Sequence, residues 1–437
     1  MQALHLALDF RRWTLDFRGN RSRRSFRTAA MSGCLICLVA FAAAVAGDWP
    51  QILGPHRNGV ADGERIQPWD ASGPRTLWTY PLGEGYAGPA VLRDRVVVFH
   101  RVEDVERVEA LDAATGRPLW KADFRATYAP GVDPDTGPRC VPLIHDGAVY
   151  VYGAAGDLHG VRLADGKKLW SRSMLREFNG DDGYFGAGNS PIVVDGRLLV
   201  NVGGRDGAGV VALGLADGAT LWQATDERAS YSAPTAVVLD GQPYAVFVTR
   251  LNVVCVDPRD GTVRFRFPFG QRGATVNAAT PLVCDLGLFV TANYGVGARL
   301  AKISQNGFEL VWENDESLSS QYPTPVVRDG FLYGVHGRED VGVGQLRCVE
   351  AATGKVRWSV PDFGMAHLIL ADDRLLILSV QGRLLLAAAS PDRLETLATA
   401  TVSTSVTRAL PALAHGRLYI RETTGQGGSL RCFGLQP

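Results

Sequence analysis

The chain has 437 residues, of which 46% are hydrophobic, 9% aromatic and 21% charged, with 50 glycines and 23 prolines. This composition excludes an intrinsically disordered or collagen-like chain and supplies ample material for a core. Seven arginines and two aspartates fall in residues 1–46, which leaves 38 basic and 43 acidic residues in the rest. Because this body carries an acidic excess and no basic stripe for phosphates, we expect no nucleic-acid partner.

The N-terminus has the pattern of an export signal. Residues 11–28 are rich in arginine, and the uncharged run Met31 to Ala46 ends in Ala44-Val45-Ala46. A basic region, a short apolar run and a small-x-small exit predict a signal peptide over residues 1–46, cleaved after Ala46, with an uncleaved anchor as the alternative. A membrane span needs about 20 residues, so we expect none in the mature protein. Ser22 to Arg27 (SRRSFR) resembles a twin-arginine motif, which leaves the Sec and twin-arginine routes open. Either route predicts an exported protein of the periplasm or cell envelope.

One segment, Ala110 to Trp120, recurs in degenerate form along the chain, with aromatic ends 43 to 52 residues apart. A second and independent marker is a Pro that opens an apolar strand, as in Pro142 to Gly147, and Leu368 takes the Pro position in one copy. The two markers run in register and predict eight units. The aromatic residues of the repeat, including one in an N-terminal strand, are Trp78, Trp120, Trp170, Trp222, Phe265, Trp312 and Trp358.

Each unit is predicted to contain four short strands. In the third unit they are Pro191 to Val194, Leu198 to Val202, Val210 to Leu215 and a strand ending at Trp222. Short Val- and Leu-rich runs separated by Gly, Asn and Asp are typical of antiparallel meanders. Four strands repeated in this way predict an all-β fold, an eight-bladed β-propeller of four-stranded antiparallel blades. Each repeat Trp is large and amphipathic, so we expect it to cover the gap to the next blade while its N–H finds a backbone partner.

The last unit has only three strands of its own, Pro411 to Ala414, Arg417 to Glu422 and Ser429 to Gly434. The strand Thr76 to Tyr80 precedes the first Pro marker and has no unit of its own. Pairing these two open edges would satisfy their hydrogen-bonding groups, so we predict that the N-terminal strand closes the ring. The domain order is then a signal peptide (1–46), an N-terminal leader segment (47–75) and the propeller (76–437).

The Ala110 to Trp120 segment matches the A-x-D-x-x-T-G-x-x-x-W repeat of pyrroloquinoline-quinone (PQQ) quinoproteins and their relatives. From Trp78 to Phe433, about 360 residues, the chain resembles these PQQ-like repeat propellers, also called quinoprotein alcohol dehydrogenase-like. The stretch from Asp48 to Gly59 is similar to the mature start of exported PQQ-like repeat proteins of planctomycete bacteria. Relatives of similar size include BamB of the outer-membrane barrel-assembly machinery, which is a scaffold and not an enzyme. The resemblance therefore implies a fold more firmly than an activity.

The same resemblance implies what a catalytic relative would contain. Alcohol-oxidising quinoproteins are longer, cover PQQ with a disulfide between adjacent cysteines and hold Ca²⁺ with a Glu, an Asn and a catalytic Asp. This sequence has no adjacent cysteines, and the repeat register scatters its five body cysteines over separate blades, so we predict buried free thiols. They are Cys140, Cys255, Cys284, Cys348 and Cys432. We expect no catalytic residue, no cofactor and no metal site; bound PQQ with Ca²⁺ is the alternative, although its usual site residues are not evident.

The loops that lead into first strands and those that leave second strands should gather on one face of the ring, around the mouth of the central channel. We call this the mouth face and expect a ligand or partner to bind there. Arg139 and Asn277 suit an anionic ligand such as a quinone carboxylate or a sugar acid, or else they solvate the rim or pair with nearby aspartates. The lone histidines are more typical of satisfied channel residues than of bases. The polar residues that the sequence places on the mouth face are His100, Arg139, Asn189, Arg250, Asn277, Asn293, Tyr322, His336, Arg338 and His367.

Residues 177–186 form an acidic, Gly-rich cluster near the mouth. Oxygen ligands of this kind suit Ca²⁺, but their order matches no EF-hand loop, so we interpret the segment as a flexible surface loop. Two functional hypotheses follow. The first is an exported, non-catalytic BamB-like propeller, a monomer that binds an envelope protein or a small ligand. The alternative is a PQQ-dependent dehydrogenase or a small-ligand-binding quinoprotein relative, which would be an oxidoreductase.

Overall fold

Short apolar runs and Asp-Gly turns fold this chain into strands of three to eight residues. In the turn Asp195-Gly196 both residues have positive φ, 50° and 69°, a backbone that aspartate tolerates and glycine adopts freely. The computed structural model describes residues 47–129, 131–181, 183–424 and 427–435. The predicted signal peptide, residues 1–46, lies outside the described residues.

The strands form eight four-stranded antiparallel sheets, one for each predicted unit, which confirms the eight-bladed propeller. Blade 1 contains β2 (Ala90–Leu92), β3 (Arg95–Val102), β4 (Val105–Asp112) and β5 (Pro118–Arg125), and blade 2 contains β6 (Leu143–His145), β7 (Ala148–Tyr152), β8 (Asp157–Arg162) and β9 (Lys168–Ser173). Blade 3 contains β10 (Ile192–Val194), β11 (Arg197–Asn201), β12 (Val210–Gly214) and β13 (Thr220–Ala224), and blade 4 contains β14 (Thr235–Leu239), β15 (Gln242–Val248), β16 (Asn252–Val256) and β17 (Val263–Pro268). Blade 5 contains β18 (Leu282–Cys284), β19 (Gly287–Ala292), β20 (Gly297–Ser304) and β21 (Gly307–Asn314), and blade 6 contains β22 (Val326–Arg328), β23 (Phe331–Arg338), β24 (Val343–Glu350) and β25 (Val356–Val360). Blade 7 contains β26 (Ala366–Ala371), β27 (Arg374–Ser379), β28 (Arg383–Ala388) and β29 (Glu395–Thr401), and blade 8 contains β30 (Ala412–Ala414), β31 (Arg417–Thr424), β32 (Gly427–Gly434) and β1 (Arg75–Leu82).

The ring closes through the N-terminal strand, as predicted. β1 pairs antiparallel with β32 from Arg75 opposite Gly434 to Leu82 opposite Gly428, with an irregularity between Thr76 and Trp78. The last blade therefore has the strand order β1-β32-β31-β30 and takes its outer strand from the other end of the chain.

The repeat motif joins neighbouring blades. The indole N–H of Trp78 in blade 8 donates to the carbonyl of Ala113 in blade 1 at 3.1 Å, and that of Trp120 donates to Leu163 in blade 2 at 2.8 Å. The motif glycine of blade 1, Gly116, packs against the indole of Trp78. A Cβ added to Gly116 would lie 2.7 Å from that indole, so a larger residue would not fit. The turn of one blade packs on the tryptophan indole of the preceding blade. The motif residues aspartate, threonine, glycine and tryptophan therefore recur together.

The core lies between blades. Val97 and Phe99 of blade 1 pack in one cluster with Val149 and Val151 of blade 2, and all four are 0% exposed. The five cysteines of the described residues are unpaired, as predicted. Four of them are buried, but the prediction of a buried thiol is wrong for Cys284, which is only partly buried. Three of them occupy third strands, in β16, β24 and β32.

Residues 47–64 fill the central channel, and we call them the channel plug. Trp49 exchanges two backbone hydrogen bonds of 2.8 Å with Val91 of β2. The carbonyl of Pro50 accepts from Ile144 of β6 at 2.8 Å, and the N–H of Ala61 donates to Leu370 of β26 at 2.8 Å. Because first strands are innermost in a propeller, a segment that contacts those of blades 1, 2 and 7 must run through the axis. From the sequence, this stretch is predicted only as part of a leader segment.

Arg57 anchors the channel plug on the opposite side of the axis. Its Nη1 donates to the carbonyl of Pro234 at 2.8 Å, its Nη2 donates to Pro191, and its Nε donates to Gln51 Oε1 at 2.8 Å. These prolines immediately precede the first strands of blades 3 and 4. The guanidinium is 2% exposed, and burial lowers its pKa to about 9.

One helix occurs in the described part of the chain, the single turn α1 (Met174–Glu177) after β9. Within the described residues, no helix is long and apolar enough to cross a membrane.

Candidate functional site at the channel mouth

A cavity of about 570 Å³ opens on the mouth face between blades 2 and 5. Its walls come from loops that precede β10, β14 and β18 and from loops that follow β7, β11 and β15. These are the two loop classes that the blade pattern places together. Of the ten predicted residues, Asn189 and Arg250 line the cavity.

Both cavity residues also have structural bonds. Asn189 is 1% exposed and its Nδ2 donates to the carbonyl of Asn201 at 2.9 Å, but its Oδ1 has no partner. The Arg250 guanidinium donates to two backbone carbonyls and to the hydroxyl of Thr275 at 2.6 to 2.9 Å. Asn277, immediately after the lining residue Val276, is 2% exposed and donates to the carbonyl of Thr249 at 2.8 Å.

The acidic loop before β10 covers one side of this cavity. Its Asp181 pairs with Arg228 at 2.6 Å. The hydroxyl of Tyr231 accepts the N–H groups of Tyr184 at 2.9 Å and Phe185 at 2.8 Å. Bonds to the following blade therefore hold this loop in place, and its first predicted member, Glu177, belongs to α1 and pairs with Arg172.

A charged network spans another part of the mouth. Arg408, in the loop before β30, pairs with Glu339 of blade 6 at 3.0 Å and lies 4.0 Å from Asp133 in the loop before β6. Glu339 also accepts a 2.9 Å hydrogen bond from the hydroxyl of Tyr322. We call Asp133, Tyr322, Glu339 and Arg408 the mouth network. It joins loops of three separated blades across the axis.

Arg139 and His367 lie beside the mouth network. Arg139 pairs with Asp135 at 3.5 Å, one of the rim alternatives that the sequence left open, and its guanidinium lies 5.5 Å from the ring centre of Tyr86. His367 is 4% exposed; its Nε2 lies 2.8 Å from the carbonyl of Arg408, and its Nδ1 has no partner. Burial lowers the pKa of His367 to about 4, so the ring is neutral near pH 7.

The other four predicted residues hold the loops together. His100 accepts the N–H of Gly83 at 2.8 Å through Nδ1 and lies 3.0 Å from Glu109 through Nε2, and burial lowers its pKa. His336 accepts the N–H of Ser319 at 3.1 Å, and burial lowers its pKa to about 4.

Asn293 donates to the carbonyl of Ser319 at 3.1 Å. Arg338 pairs with Asp340 and lies 4.3 Å from the ring centre of Tyr294. In this structure every predicted residue has a bond or ring contact that fixes its loop.

Metal and cofactor chemistry can be tested against the side chains that are present. Among the described ranges, no group of three or more His, Cys, Asp or Glu is placed to hold a metal ion. Asp181 is the only carboxylate of the described cavity lining, and it is paired with Arg228. These residues do not fit a calcium-bound quinone carboxylate, and we derive no reaction step through one.

Tyr86, Tyr231 and Arg408 also lie at the mouth and were not among the residues predicted from the sequence. Each lies three residues before a repeat proline, at Pro89, Pro234 and Pro411, and the predicted residues Arg139 and Tyr322 have the same offset. This offset places a large side chain at the mouth in five blades. It was a signal that the repeat alignment contained.

The fold and the mouth face define the class of protein: an eight-bladed propeller built from PQQ-like repeats. A family model described as outer membrane protein assembly factor BamB matches residues 54–182 and 104–360. Since these matches cover more than half of the chain, the chain belongs to this BamB family.

Individual relatives agree with this assignment. The outer membrane protein assembly factor BamB of Salmonella typhimurium is 25% identical over 311 residues, which cover 65% of this chain and 71% of the relative. The solved BamB of Moraxella catarrhalis has a TM-score of 0.60 at 14% identity and covers 83% of this chain and 100% of its own. The quinohemoprotein alcohol dehydrogenase of Comamonas testosteroni has a TM-score of 0.69 at 15% identity, covering 90% of this chain and 81% of its own. At these identities the solved structures establish the fold alone.

Proposed function

We propose that this chain is an exported, non-catalytic propeller that binds a protein partner of the cell envelope through its mouth face. The observation that carries this proposal is the closed axis. The channel plug occupies the centre of the ring, and the mouth network joins Arg408, Glu339 and Asp133 above it. Around the cavity of the mouth face, loops held by hydrogen bonds and ion pairs form a broad surface, which suits a protein partner.

The chemical state of the histidines supports the same proposal. A general base needs a pKa near the working pH and a free nitrogen at the substrate. Burial lowers the pKa of His336 and His367 to about 4, and His100 is bonded through both ring nitrogens. The family match to an outer membrane protein assembly factor favours an envelope location. Removal of residues 1–46 and a monomeric state are further parts of this proposal.

Site-specific photo-crosslinking in the native envelope tests the partner face. A photoreactive residue replaces Asp340 on the mouth face, and a matched one replaces Asp373 in a turn on the opposite face; these side chains are 54% and 68% exposed. We expect a discrete crosslinked partner from position 340 only. Equal crosslinking from position 373, or none from several mouth-face positions, would contradict the proposal.

The second candidate function is that of a PQQ-dependent dehydrogenase, which the fold of the Comamonas enzyme favours. Mixing the purified mature protein with PQQ and Ca²⁺ tests it directly. A bound visible chromophore together with dye reduction by alcohols or sugars would establish this function and overturn the non-catalytic one.

A further inference from the structure

Among its described lining residues, the cavity on the mouth face has more positive than negative charge. Arg228, Arg250 and Arg272 line it, and Asp181 is the only carboxylate among its described lining residues. Asp181 pairs with Arg228 at 2.6 Å, whereas the donors of Arg250 reach only carbonyls and a hydroxyl. Arg272 is exposed and has no ion pair with another residue of the described chain. Two guanidinium groups are therefore available to an anion.

Two residues of the cavity lining each have a buried polar atom without a partner in the described chain. Asn189 Oδ1 and the hydroxyl of Tyr152 have none, and both residues are 1% exposed. The Asn189 amide is oriented by the bond from its Nδ2 to Asn201, which leaves Oδ1 as an acceptor. Buried polar groups are normally hydrogen-bonded, so two unpartnered groups on residues that line one cavity are candidates to bond to a ligand.

We propose that this cavity binds a small polyhydroxylated carboxylate, that is, a sugar acid. The carboxylate pairs with Arg250 and Arg272, and ligand hydroxyls donate to Asn189 Oδ1 and bond to Tyr152. A ligand without hydroxyls leaves the Asn189 acceptor unsatisfied, and a neutral sugar leaves the guanidinium groups unpaired. The cavity volume of about 570 Å³ lies within the usual range for small-ligand sites, roughly 300–1,000 Å³. This inference goes beyond the protein-partner function and does not depend on it.

Calorimetric titration at low salt tests the ligand class with three probes: glucuronate, glucose and succinate. We expect glucuronate to bind at least about tenfold more tightly than either of the others, because only it satisfies both groups of residues. Tyr152→Phe should weaken glucuronate binding about two- to tenfold and leave the melting temperature equal or higher, since it removes a hydroxyl that has no protein partner.

A second variant pair examines the charge. Arg272→Gln should weaken glucuronate binding roughly two- to fivefold, and added salt should reduce that difference. Arg205→Gln is the matched control, an exposed arginine of a neighbouring loop that does not line the cavity. Glucuronate that produces no binding heat at millimolar concentration, or that binds Tyr152→Phe as tightly as the parent, overturns the sugar-acid site. Crosslinking from position 340 is unaffected by either result, so the two proposals fail separately.

A different observation concerns the start of the channel plug. Gly47 is buried with a φ of 100°, and a Cβ added to it would lie 3.1 Å from Glu64 Oε1 and 3.0 Å from His415 Nδ1. Two buried carboxylates lie here: Glu64 is 6% exposed and Asp48 is 3% exposed. Asp48 Oδ1 contacts His415 Nε2 at 2.8 Å, but its Oδ2 has no partner. Apart from the His415 imidazole, no cation of the described residues pairs with these carboxylates.

We infer that signal-peptide removal supplies the missing cation. Hydrolysis breaks the amide bond between Ala46 and Gly47; water gives its hydroxyl to the Ala46 carbonyl carbon and a proton to the Gly47 nitrogen, which takes a second proton from solvent. The resulting α-ammonium group pairs with Glu64 and with the free Oδ2 of Asp48. This inference rests on cleavage after Ala46, which N-terminal sequencing of the envelope protein checks independently.

Two exported forms test the pairing. One has the natural cleavage site, and the other carries one serine inserted after Ala46, so that an amide replaces the ammonium group at Gly47. We expect the inserted form to melt roughly 3–6 °C lower, because a buried ion pair has lost one partner. In a Glu64→Gln background the same insertion should have much less effect, whereas in an Asp62→Asn background, where the exposed neighbour of His56 is changed, it should have its full effect.

Amine labelling gives a second measurement. In the folded mature protein the α-amino group should resist an acylating reagent that modifies it readily after denaturation, and mass spectrometry of the N-terminal peptide reports the difference. Labelling at equal rates in folded and denatured protein, or equal melting of the two exported forms, overturns the pairing. Sequencing that finds Gly47 first in the natural form and the inserted serine first in the other form shows that cleavage itself is not at fault.

Discussion

Removing the indole of Trp78 should weaken the joint that closes the ring. Trp78 lies on β1, is 9% exposed and packs 5.8 Å from the ring centre of Tyr419 in the same blade. Its N–H donates to Ala113 in blade 1 at 3.1 Å, and Gly116 of blade 1 covers its face. One side chain therefore contacts both sides of the closure.

Two substitutions separate the contributions of packing and hydrogen bonding. Trp78→Ala should lower the free energy of unfolding by about 3–5 kcal/mol, the usual cost of truncating a large buried aromatic. Trp78→Phe keeps much of the apolar contact and loses the donor to Ala113, so we expect a loss of about 1 kcal/mol or somewhat more. Leu77→Ala is the control on the same strand: its side chain is 38% exposed, and its effect should stay within about 0.5 kcal/mol.

Urea denaturation followed by far-UV circular dichroism measures all three variants beside the parent. The expected order of unfolding midpoints is Leu77→Ala close to the parent, then Trp78→Phe, then Trp78→Ala. A deletion of residues 47–80 should cost more than any of them, because it removes the channel plug as well as β1. If Trp78→Ala unfolds at the midpoint of Leu77→Ala, or if the deletion unfolds like the parent, the contribution of β1 to ring stability has been misjudged.

Three further predictions use other parts of the structure. Thiol titration of the denatured, non-reduced mature protein should find five free cysteines, and fewer than four would mean that a disulfide exists. Arg338→Ala should change the free energy of unfolding by no more than about 1 kcal/mol, because its partner Asp340 is exposed, and should weaken partner binding if the mouth face is the functional one. Between pH 6.5 and about 4 the unfolded chain binds a proton that buried His367 does not, so its contribution to stability falls as pH decreases through this window. His367→Gln should therefore flatten the pH dependence of the melting temperature relative to the parent; Glu106, whose pKa burial raises to about 7, contributes with the opposite sign in both proteins and cancels in the comparison.

The architecture was available from the sequence because it repeats. Each blade has the same local structure of four short strands and tight turns. Markers such as Pro142 and Trp120 therefore recur in register, and eight units can be counted. The closure by β1 followed from the same count, since one unit lacked a strand and one strand lacked a unit. The free cysteines followed too, because equivalent positions in separate blades cannot meet.

The channel plug and the mouth were decided only by the tertiary structure. Arg57 bonds to Pro191 and Pro234, which lie 134 and 177 residues away, and no period in the sequence connects them. Arg408 and Glu339 are 69 residues apart and meet because their blades converge on one axis. A repeat specifies contacts inside a blade and with its neighbour. Side chains that meet across the axis belong to loops that differ from blade to blade, and their partners depend on how the whole ring closes.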